Sequence, residues 1–155
     1  MSRQNILYPV LKRAMDIFGA VFGIIFFLPV FLVIAVLIKM NSHGPVFYIQ
    51  KRCGQGGREF SMYKFRSMVN GADSLKSQLK NEVLGSVFKV KNDPRVTGVG
   101  RFLRRISLDE LPQIFNILKG EMSLVGPRPL SDEEMSYDKR WKELRLTVKP
   151  GLTGL

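Results

Sequence analysis

The most pronounced pattern along the chain is an apolar run near the N-terminus. It covers residues 17–38, reads IFGAVFGIIFFLPVFLVIAVLI and contains 22 residues without a charge. At a helical rise of about 1.5 Å per residue, the run is long enough for the roughly 30 Å hydrocarbon core of a bilayer. A chain of 155 residues has too small an interior to bury it. The pattern therefore predicts a helix in a membrane.

Pro29 leaves the path of this helix open. A proline inside a helix removes a backbone hydrogen bond and kinks the helix. One interpretation is a kinked transmembrane helix, and the other is a re-entrant hairpin that turns at Pro29. Residues 1–16 have the spacing of an interfacial helix on an anionic leaflet. Asp16 ends that segment and is expected to pair with Lys12 or Arg13.

After residue 39 the pattern changes to short elements. Segments 46–52 and 59–68 are rich in β-formers and flank the glycines of CGQGGR, which predicts a hairpin. In FSMYKFRSM, aromatic and basic residues alternate, as expected for a strand with one buried and one solvated face. Helical patterns follow at 71–84, in the basic stretch before residue 106, up to Gly120, and over 131–146. EMSLVGPRP is expected to be a short strand that leads into a rigid loop. The soluble part is therefore a small α+β domain.

Charge and composition limit the chemistry. The net charge is +11, and the sequence pI is about 10.1, so anionic partners are expected. One cysteine, Cys53, excludes an internal disulfide, and one histidine, His43, leaves little for a Ser-His-Asp triad or a histidine-rich zinc site. Any catalysis would rest on carboxylates, arginines and lysines.

An acidic pair, Asp109 and Glu110, stands out in the basic stretch RRISLDELPQ. One interpretation is structural: Ser107 and Glu110 have the S-x-x-E spacing of a capping box, although Pro112 fits poorly beyond the first helical position. The other interpretation is catalytic, because arginines that suit phosphate oxygens surround the pair. Two carboxylates among such arginines are useful if one holds Mg²⁺ against a diphosphate and the other attacks phosphorus.

The order of motifs adds a family resemblance. The motifs are KRAMD, GPVFYIQKRCGQGGREF, YKFRSM, NDPRVTGVGRFLRR, SLDELPQIFNILKGEMSLVGPRP and VKPGLTG. Over nearly its whole length the chain resembles the bacterial polyprenyl-phosphate sugar-1-phosphate transferases, the monotopic phosphoglycosyl transferases. Such a set in this order is far more specific than any one motif.

The resemblance implies a reaction and a site. Asp109 would attack the β-phosphate of a UDP-sugar, release UMP and carry the phosphosugar until undecaprenyl phosphate accepts it. Glu110 would bind Mg²⁺, Arg104 would hold a phosphate, and Arg128 would contact the nucleotide. The remaining substrate-binding candidates lie in the matching motifs: Lys64, Arg66, Asp93, Arg95, Pro127 and Pro129.

The resemblance also implies the architecture. The expected fold is a small membrane-associated α+β domain with a re-entrant, Pro-kinked helix over residues 1–39 and a cytoplasmic catalytic domain over residues 40–155. Short amphipathic helices would surround a small β-hairpin or sheet, at the cytoplasmic face of the bacterial inner membrane. The chain departs from the family pattern at two positions. Leu28 stands before Pro29 where relatives often have serine, and Ser67 stands where they usually have threonine. Because relatives continue beyond KPGLTG, the chain is expected to be C-terminally truncated at Leu155.

The expected partners are a UDP-sugar, undecaprenyl phosphate and anionic membrane lipids, without nucleic acid; the sequence also allows a homodimer. A rival hypothesis from another class is a non-enzymatic, membrane-anchored basic module that binds anionic lipid or nucleic acid. Charge and the aromatic–basic strand favour it, but the ordered acidic pair and arginine motifs do not follow from it.

Overall fold

The structure is a computed structural model that describes residues 4–75, 90, 92–131 and 139–154. It confirms an α+β architecture. Within those residues the helices are α1 (Gln4–Asn41), α2 (Gly98–Arg105), α3 (Gln113–Lys119) and α4 (Lys139–Leu146). The strands are β1 (Phe47–Cys53), β2 (Glu59–Phe65), β3 (Ser123–Val125) and β4 (Gly151–Thr153), with short 3-10 helices at Gln55–Gly57 and Leu108–Glu110. Most of the helix predicted over 71–84 and the first half of the one predicted over 131–146 lie outside the described residues; α4 forms the second half of the latter.

The predicted hairpin is confirmed. Strands β1 and β2 pair antiparallel, from Phe47 opposite Phe65 to the Cys53 end. The connecting loop contains Gly56 and Gly57 at positive φ, 69° and 76°, where glycine avoids the steric penalty of a Cβ. In β2, Phe60 and Met62 are buried, while the residues between and before them are exposed. The glycine segment is thus a turn, and the aromatic–basic strand has the expected buried and solvated faces.

The N-terminal apolar run forms helix α1, which continues without interruption through Pro9 and Pro29 over 38 residues. Residues Leu7–Asn41 of this helix are long and apolar enough to cross a membrane, as judged by length and composition only. The re-entrant bend at Pro29 therefore stays a prediction.

Helix α1 packs against the rest of the chain on both sides of Pro29. Ahead of Pro29, Ala20 is fully buried in a first core with side chains of β2 and α3. Beyond Pro29, Ile34 and Ile38 join a second core with Phe65 and Leu103. Helix α1 therefore contributes to both of these hydrophobic cores. It contacts the rest of the chain on both sides of Pro29, and not only through the connection after residue 40.

Polar contacts fix the first half of α1. The buried carboxylate of Asp16 accepts hydrogen bonds from Lys12 Nζ at 2.6 Å and from the backbone N–H of Leu124 at 3.0 Å. This confirms the predicted pairing with Lys12. Arg13 instead donates to the carbonyl oxygen of Ile117 at 2.6 Å, near the C-terminal end of α3, where the helix dipole favours a cation.

The second sheet is a short parallel pair of β3 and β4. Gly126 directly follows β3, and Gly151 begins β4. The two backbones approach closely at these glycines, where a Cβ on Gly151 would overlap the backbone of Gly126. The Gly151 N–H donates to the carbonyl oxygen of Pro127 at 2.9 Å, and the Gly126 N–H donates to that of Thr153 at 3.1 Å. These bonds anchor the loop that follows β3, as the rigid loop of the sequence prediction requires.

A glycine in α2 offers a test of this packing. The Gly100 N–H donates to Thr97 Oγ1, which caps α2, and a Cβ at Gly100 would overlap the Ser67 carbonyl. Gly100→Ala should therefore lower stability by about 1–3 kcal/mol, as overpacking usually does. The measurement is the unfolding midpoint in detergent micelles.

Gly98→Ala is the matched control, because a Cβ there meets no atom within 4 Å. It should leave the midpoint unchanged or raise it, since alanine favours helix over glycine by roughly 0.5–1 kcal/mol. Equal midpoints for the two variants would contradict the close packing of α2 on Ser67.

Candidate active site

The acidic pair lies in the 3-10 helix Leu108–Glu110, between α2 and α3. The chain enters this turn through Ser107, whose φ of 58° and ψ of 18° place it in the left-handed region. Leu108 and Leu111, on either side of the pair, pack on the second core. These partly buried leucines therefore hold the turn, and both carboxylates line a groove in the surface.

The capping-box interpretation is wrong. The Ser107 side chain makes no capping hydrogen bond, and its left-handed backbone is not that of an N-cap. Helix α3 begins at Gln113, directly after Pro112, whose φ of −62° suits a helix start. The S-x-x-E spacing is present, but the helix it would cap starts further along the chain. The acidic pair is therefore not explained by helix capping.

The Asp109 carboxylate is largely withdrawn from solvent, with 8 % of the residue exposed. Burial raises the pKa of Asp109 above its ordinary value, and the nearby charge of Glu110 acts in the same direction. The positive charges of Lys64 and Arg104 act against this rise. Asp109 is thus a partly desolvated carboxylate whose ionised form depends on neighbouring cations.

Glu110 has a different environment. Its Oε1 accepts a hydrogen bond from Lys64 Nζ at 2.7 Å, in an ion pair that joins the turn to β2. The Lys64 side chain is 18 % exposed and the Glu110 side chain 35 %. Two adjacent carboxylates therefore have unequal surroundings, which suits them to unequal roles.

Arginines of α2 and of the loop after β3 complete the surroundings of the pair. Arg104 Nε donates to Ser67 Oγ at 2.8 Å, which fixes the guanidinium through one of its five N–H donors. Arg101 also lines the groove, one helical turn before Arg104. Arg128 is exposed between Pro127 and the buried Pro129, on the loop anchored by β4.

The groove has a volume of about 1060 Å³, at the upper end of the range for small-molecule sites, roughly 300–1000 Å³. It brings together every charged residue of the predicted site: Lys64, Arg66, Asp93, Arg95, Arg104, Asp109, Glu110 and Arg128. Pro127 and Pro129 flank Arg128 and hold its loop. The charged residues of the predicted site therefore line one groove, while their roles toward substrate stay predictions.

Besides Lys64, Glu110 and Arg104, three more of these residues have protein partners. Arg66 donates to the carbonyl oxygens of Ser42 at 2.7 Å and His43 at 3.0 Å, and so ties the end of α1 to β2. Arg95 and Asp93 form an ion pair of 2.6 Å, with a second bond from Arg95 Nε at 2.9 Å. Their role toward substrate stays a prediction, while their structural role is visible.

Sequence reasoning did not identify Tyr48, Ser67 or Asp73 as part of the site, although all three line the groove. Tyr48 lies directly opposite Lys64 in the hairpin, so the register of the predicted strands would have found it. Asp73 reaches the groove only through the tertiary position of its turn, for which the sequence carries no local signal.

The donor set fits Mg²⁺ in one specific way. Among the described residues, no group of three or more His, Cys, Asp or Glu side chains is placed to hold a metal. Mg²⁺ commonly binds one or two carboxylates together with substrate phosphates and water. Asp109 and Glu110 match that pattern, with Lys64 as the competing cation on Glu110.

Comparison with known proteins gives a consistent picture. A sequence model described as "Bacterial sugar transferase" matches residues 7–155.

The chain is 44% identical over 153 residues to the UDP-N-acetylgalactosamine-undecaprenyl-phosphate N-acetylgalactosaminephosphotransferase of Aeromonas hydrophila, covering 96% of this chain and 34% of that protein. It is 44% identical over 151 residues to the undecaprenyl-phosphate galactose phosphotransferase of Salmonella typhimurium, with shares of 94% and 32%. The exopolysaccharide production protein ExoY of Rhizobium meliloti is 41% identical over 150 residues, with shares of 93% and 66%. The chain thus spans about a third of the length of the first two and two thirds of the last.

The raised pKa of Asp109 predicts a pH-dependent stability difference. The folded protein binds the Asp109 proton more tightly than the unfolded chain, so this residue destabilises the fold as the pH rises above its ordinary pKa of 3.8. Asp109→Asn should therefore raise the unfolding midpoint at pH 7, and the gain should shrink as the pH is lowered toward 4. Thermal unfolding at several pH values measures this.

The exposed carboxylate of Glu143, which lies on α4 away from the groove lining, provides the control variant Glu143→Gln. Its midpoint should follow that of the wild type at every pH. A midpoint difference between wild type and Asp109→Asn that is constant with pH would show that burial does not perturb this carboxyl.

Proposed function

Because the chain belongs to the bacterial sugar transferase family, we propose that it transfers a sugar 1-phosphate from a UDP-sugar to undecaprenyl phosphate and releases UMP. The observation that carries the proposal is the buried carboxylate of Asp109 beside Glu110, in a groove with Arg101, Arg104 and Arg128. The names of the relatives in Aeromonas hydrophila and Salmonella typhimurium support the acceptor, since both specify undecaprenyl phosphate.

The reaction would proceed in two displacements at one phosphorus atom. A carboxylate oxygen of Asp109 attacks the β-phosphorus of the donor, and the bond from that phosphorus to the oxygen bridging the α-phosphate breaks. UMP leaves with the bridging oxygen, and the phosphosugar remains on Asp109 as an acyl phosphate. A phosphate oxygen of undecaprenyl phosphate then attacks the same phosphorus and frees the Asp109 carboxylate.

The surroundings of Asp109 suit it to this role. Partial desolvation makes the carboxylate a stronger nucleophile, while Lys64 and Arg104 favour its ionised form. Arginine side chains bind phosphate oxygens bidentately, so Arg101 and Arg104 would hold the diphosphate in line for attack. Glu110 would hold Mg²⁺, which supplies charge neutralisation on the diphosphate when bound.

Helix α1 would place this groove at the cytoplasmic surface of the inner membrane. Its surface away from the two cores is strongly apolar, with exposed large side chains that include Leu7, Leu11, Phe18, Phe22, Ile25, Phe26, Leu32, Val33 and Val36. Because the helix packs on one domain on both sides of Pro29, a straight crossing would draw that basic domain into hydrocarbon. A re-entrant path with its bend at Pro29 would instead return both flanks of the helix to one face of the membrane, where their basic residues would meet anionic lipid headgroups.

The reaction is tested by UMP release from UDP-sugars with nanodisc-held protein, undecaprenyl phosphate and Mg²⁺. Asp109→Asn should reduce release by at least about a thousandfold, because the nucleophile is removed. EDTA should abolish the wild-type release. Wild-type protein with donor alone should release about one equivalent of UMP, as expected for a covalent intermediate.

Glu143→Gln should retain wild-type release, which controls for effects of a lost surface charge. Full release by Asp109→Asn would exclude the aspartyl intermediate. The rival hypothesis of a basic binding module predicts no release with any donor and lipid binding that Asp109→Asn leaves intact, with an affinity that decreases smoothly with salt.

The membrane path is tested by cysteine labelling in a Cys53→Ser background. Tyr8 and Met40 are 71% and 80% exposed near the two ends of α1, so Tyr8→Cys and Met40→Cys report the two flanks. A membrane-impermeant maleimide should label both in inside-out vesicles and neither in spheroplasts. Labelling of one flank from each side would establish a spanning helix and overturn the re-entrant path.

A further inference from the structure

Tyr48 and Asp73 form a polar pair in the groove that the proposed mechanism does not use. The Tyr48 hydroxyl lies 3.3 Å and 3.4 Å from the two carboxylate oxygens of Asp73 and donates to them. Burial, followed by the charge of Asp73, raises the pKa of Tyr48, so the hydroxyl keeps its proton. The pair therefore offers a carboxylate and a phenol to a ligand in the groove.

The turn that carries Asp73 is firmly held. Gly71 has a φ of 75°, and its carbonyl oxygen accepts from the Ser74 N–H at 3.1 Å. The next carbonyl, that of the buried Ala72, accepts from Arg95 Nη1 at 3.1 Å. Since Arg95 is itself fixed by the ion pair with Asp93, the ion pair supports the turn. Asp93 and Arg95, both predicted to bind substrate, thus position Asp73.

The hairpin register locates Tyr48 and Asp73 relative to the acidic dyad, Asp109 and Glu110. Tyr48 is the cross-strand partner of Lys64, and such partners lie on one face with Cβ atoms about 5 Å apart. Lys64 in turn contacts Glu110. The phenol of Tyr48 is therefore one side chain removed from the place where the donor's diphosphate would bind.

Strand β1 separates the pair from the Arg128 loop. At its far end the Cys53 N–H donates to the carbonyl oxygen of Leu130 at 3.0 Å, two residues beyond Arg128. Tyr48 lies five positions before Cys53 in the strand, which corresponds to a separation of roughly 16 Å. The groove therefore reaches from Tyr48 and Asp73, beside the dyad, toward the Arg128 loop near the other end of β1.

We propose that the end of the groove formed by Tyr48 and Asp73 binds the sugar of the UDP-sugar and selects among donors. This rests on the proposed function. The sugar is attached to the attacked phosphorus, so it would lie next to the dyad at the Tyr48 end of β1, while the nucleoside is directed to Arg128 near the Cys53 end. The Asp73 carboxylate accepts hydrogen bonds from sugar hydroxyls, and the Tyr48 hydroxyl both donates and accepts. A site of this kind separates sugars that differ in one hydroxyl, because a mismatched donor leaves polar groups unpaired.

The test uses the protein in nanodiscs and the variants Tyr48→Phe and Asp73→Asn. Rates of UMP release are measured with UDP-galactose, UDP-glucose, UDP-N-acetylgalactosamine and UDP-N-acetylglucosamine. The preference of the wild type between the two epimers of a pair, given by the ratio of kcat/KM, should fall about tenfold or more in each variant. The dissociation constant of UMP, measured by calorimetry, should stay within about twofold.

Two matched variants control for the loss of a phenol hydroxyl and of a carboxylate. Tyr63→Phe removes a hydroxyl that accepts from Lys119, and Glu143→Gln removes an exposed carboxylate; neither residue is among those lining the groove. Both should keep the wild-type donor preference. Unchanged preference in Tyr48→Phe and Asp73→Asn would overturn the proposal, as would weaker binding of UMP in parallel with all donors, which would assign this end to the nucleoside.

Calorimetry in the Asp109→Asn background separates this proposal from the proposed reaction, because intact donors then bind without turnover. Loss of preference among bound UDP-sugars on Tyr48→Phe would support the sugar end, even if wild-type protein released no UMP and the reaction failed. Equal binding of all four donors before and after the substitution would overturn the sugar end alone.

Discussion

The packing of α1 against both hydrophobic cores is the constraint on which the remaining structure depends. Ala20 is buried with β2 and α3 ahead of Pro29, and Ile34 and Ile38 are buried with Phe65 and Leu103 beyond it. The outward surface of the same helix carries exposed large apolar side chains, which would be favourable in contact with lipid. On the proposed function, a domain held along such a helix would stay at the membrane surface, where a soluble nucleotide sugar and a lipid phosphate could both reach it.

The second core also determines the chemistry of the dyad. Leu108 and Leu111 are drawn into it, and the turn between them carries Asp109 and Glu110 into the groove. Burial alone would favour the neutral form of Asp109, but Lys64 and Arg104 oppose this. The same packing thus places a carboxylate where it is poorly solvated and surrounds it with fixed positive charge. Both features would be needed for attack on a diphosphate.

The parts of this fold that the sequence predicts are those determined by neighbouring residues. Alternation and the glycines of CGQGGR predict the hairpin, and Gly120 ends α3 at a φ of 85°, as expected. The capping-box prediction was wrong because Ser107 has a left-handed backbone before a 3-10 turn that two partly buried leucines hold, and a spacing rule contains no information on these contacts. The position of Asp73 in the groove and the carbonyl partners of Arg66 depend on contacts between residues distant in sequence. Such contacts are visible only in the structure.

The distribution of arginines argues for phosphoryl transfer over a generic basic surface. A net charge of +11 by itself suggests any anionic partner. In the structure, Arg13, Arg66 and Arg95 donate to backbone carbonyls at the joints between elements. Arg101, Arg104 and Arg128 line the same groove as the two carboxylates, and their side chains have no such carbonyl partners among the described residues. A surface that binds polyanions through charge alone gains nothing from carboxylates at its centre, because they repel the ligand. The proposed bond between the Asp109 carboxylate and phosphorus would explain why that repulsion is retained.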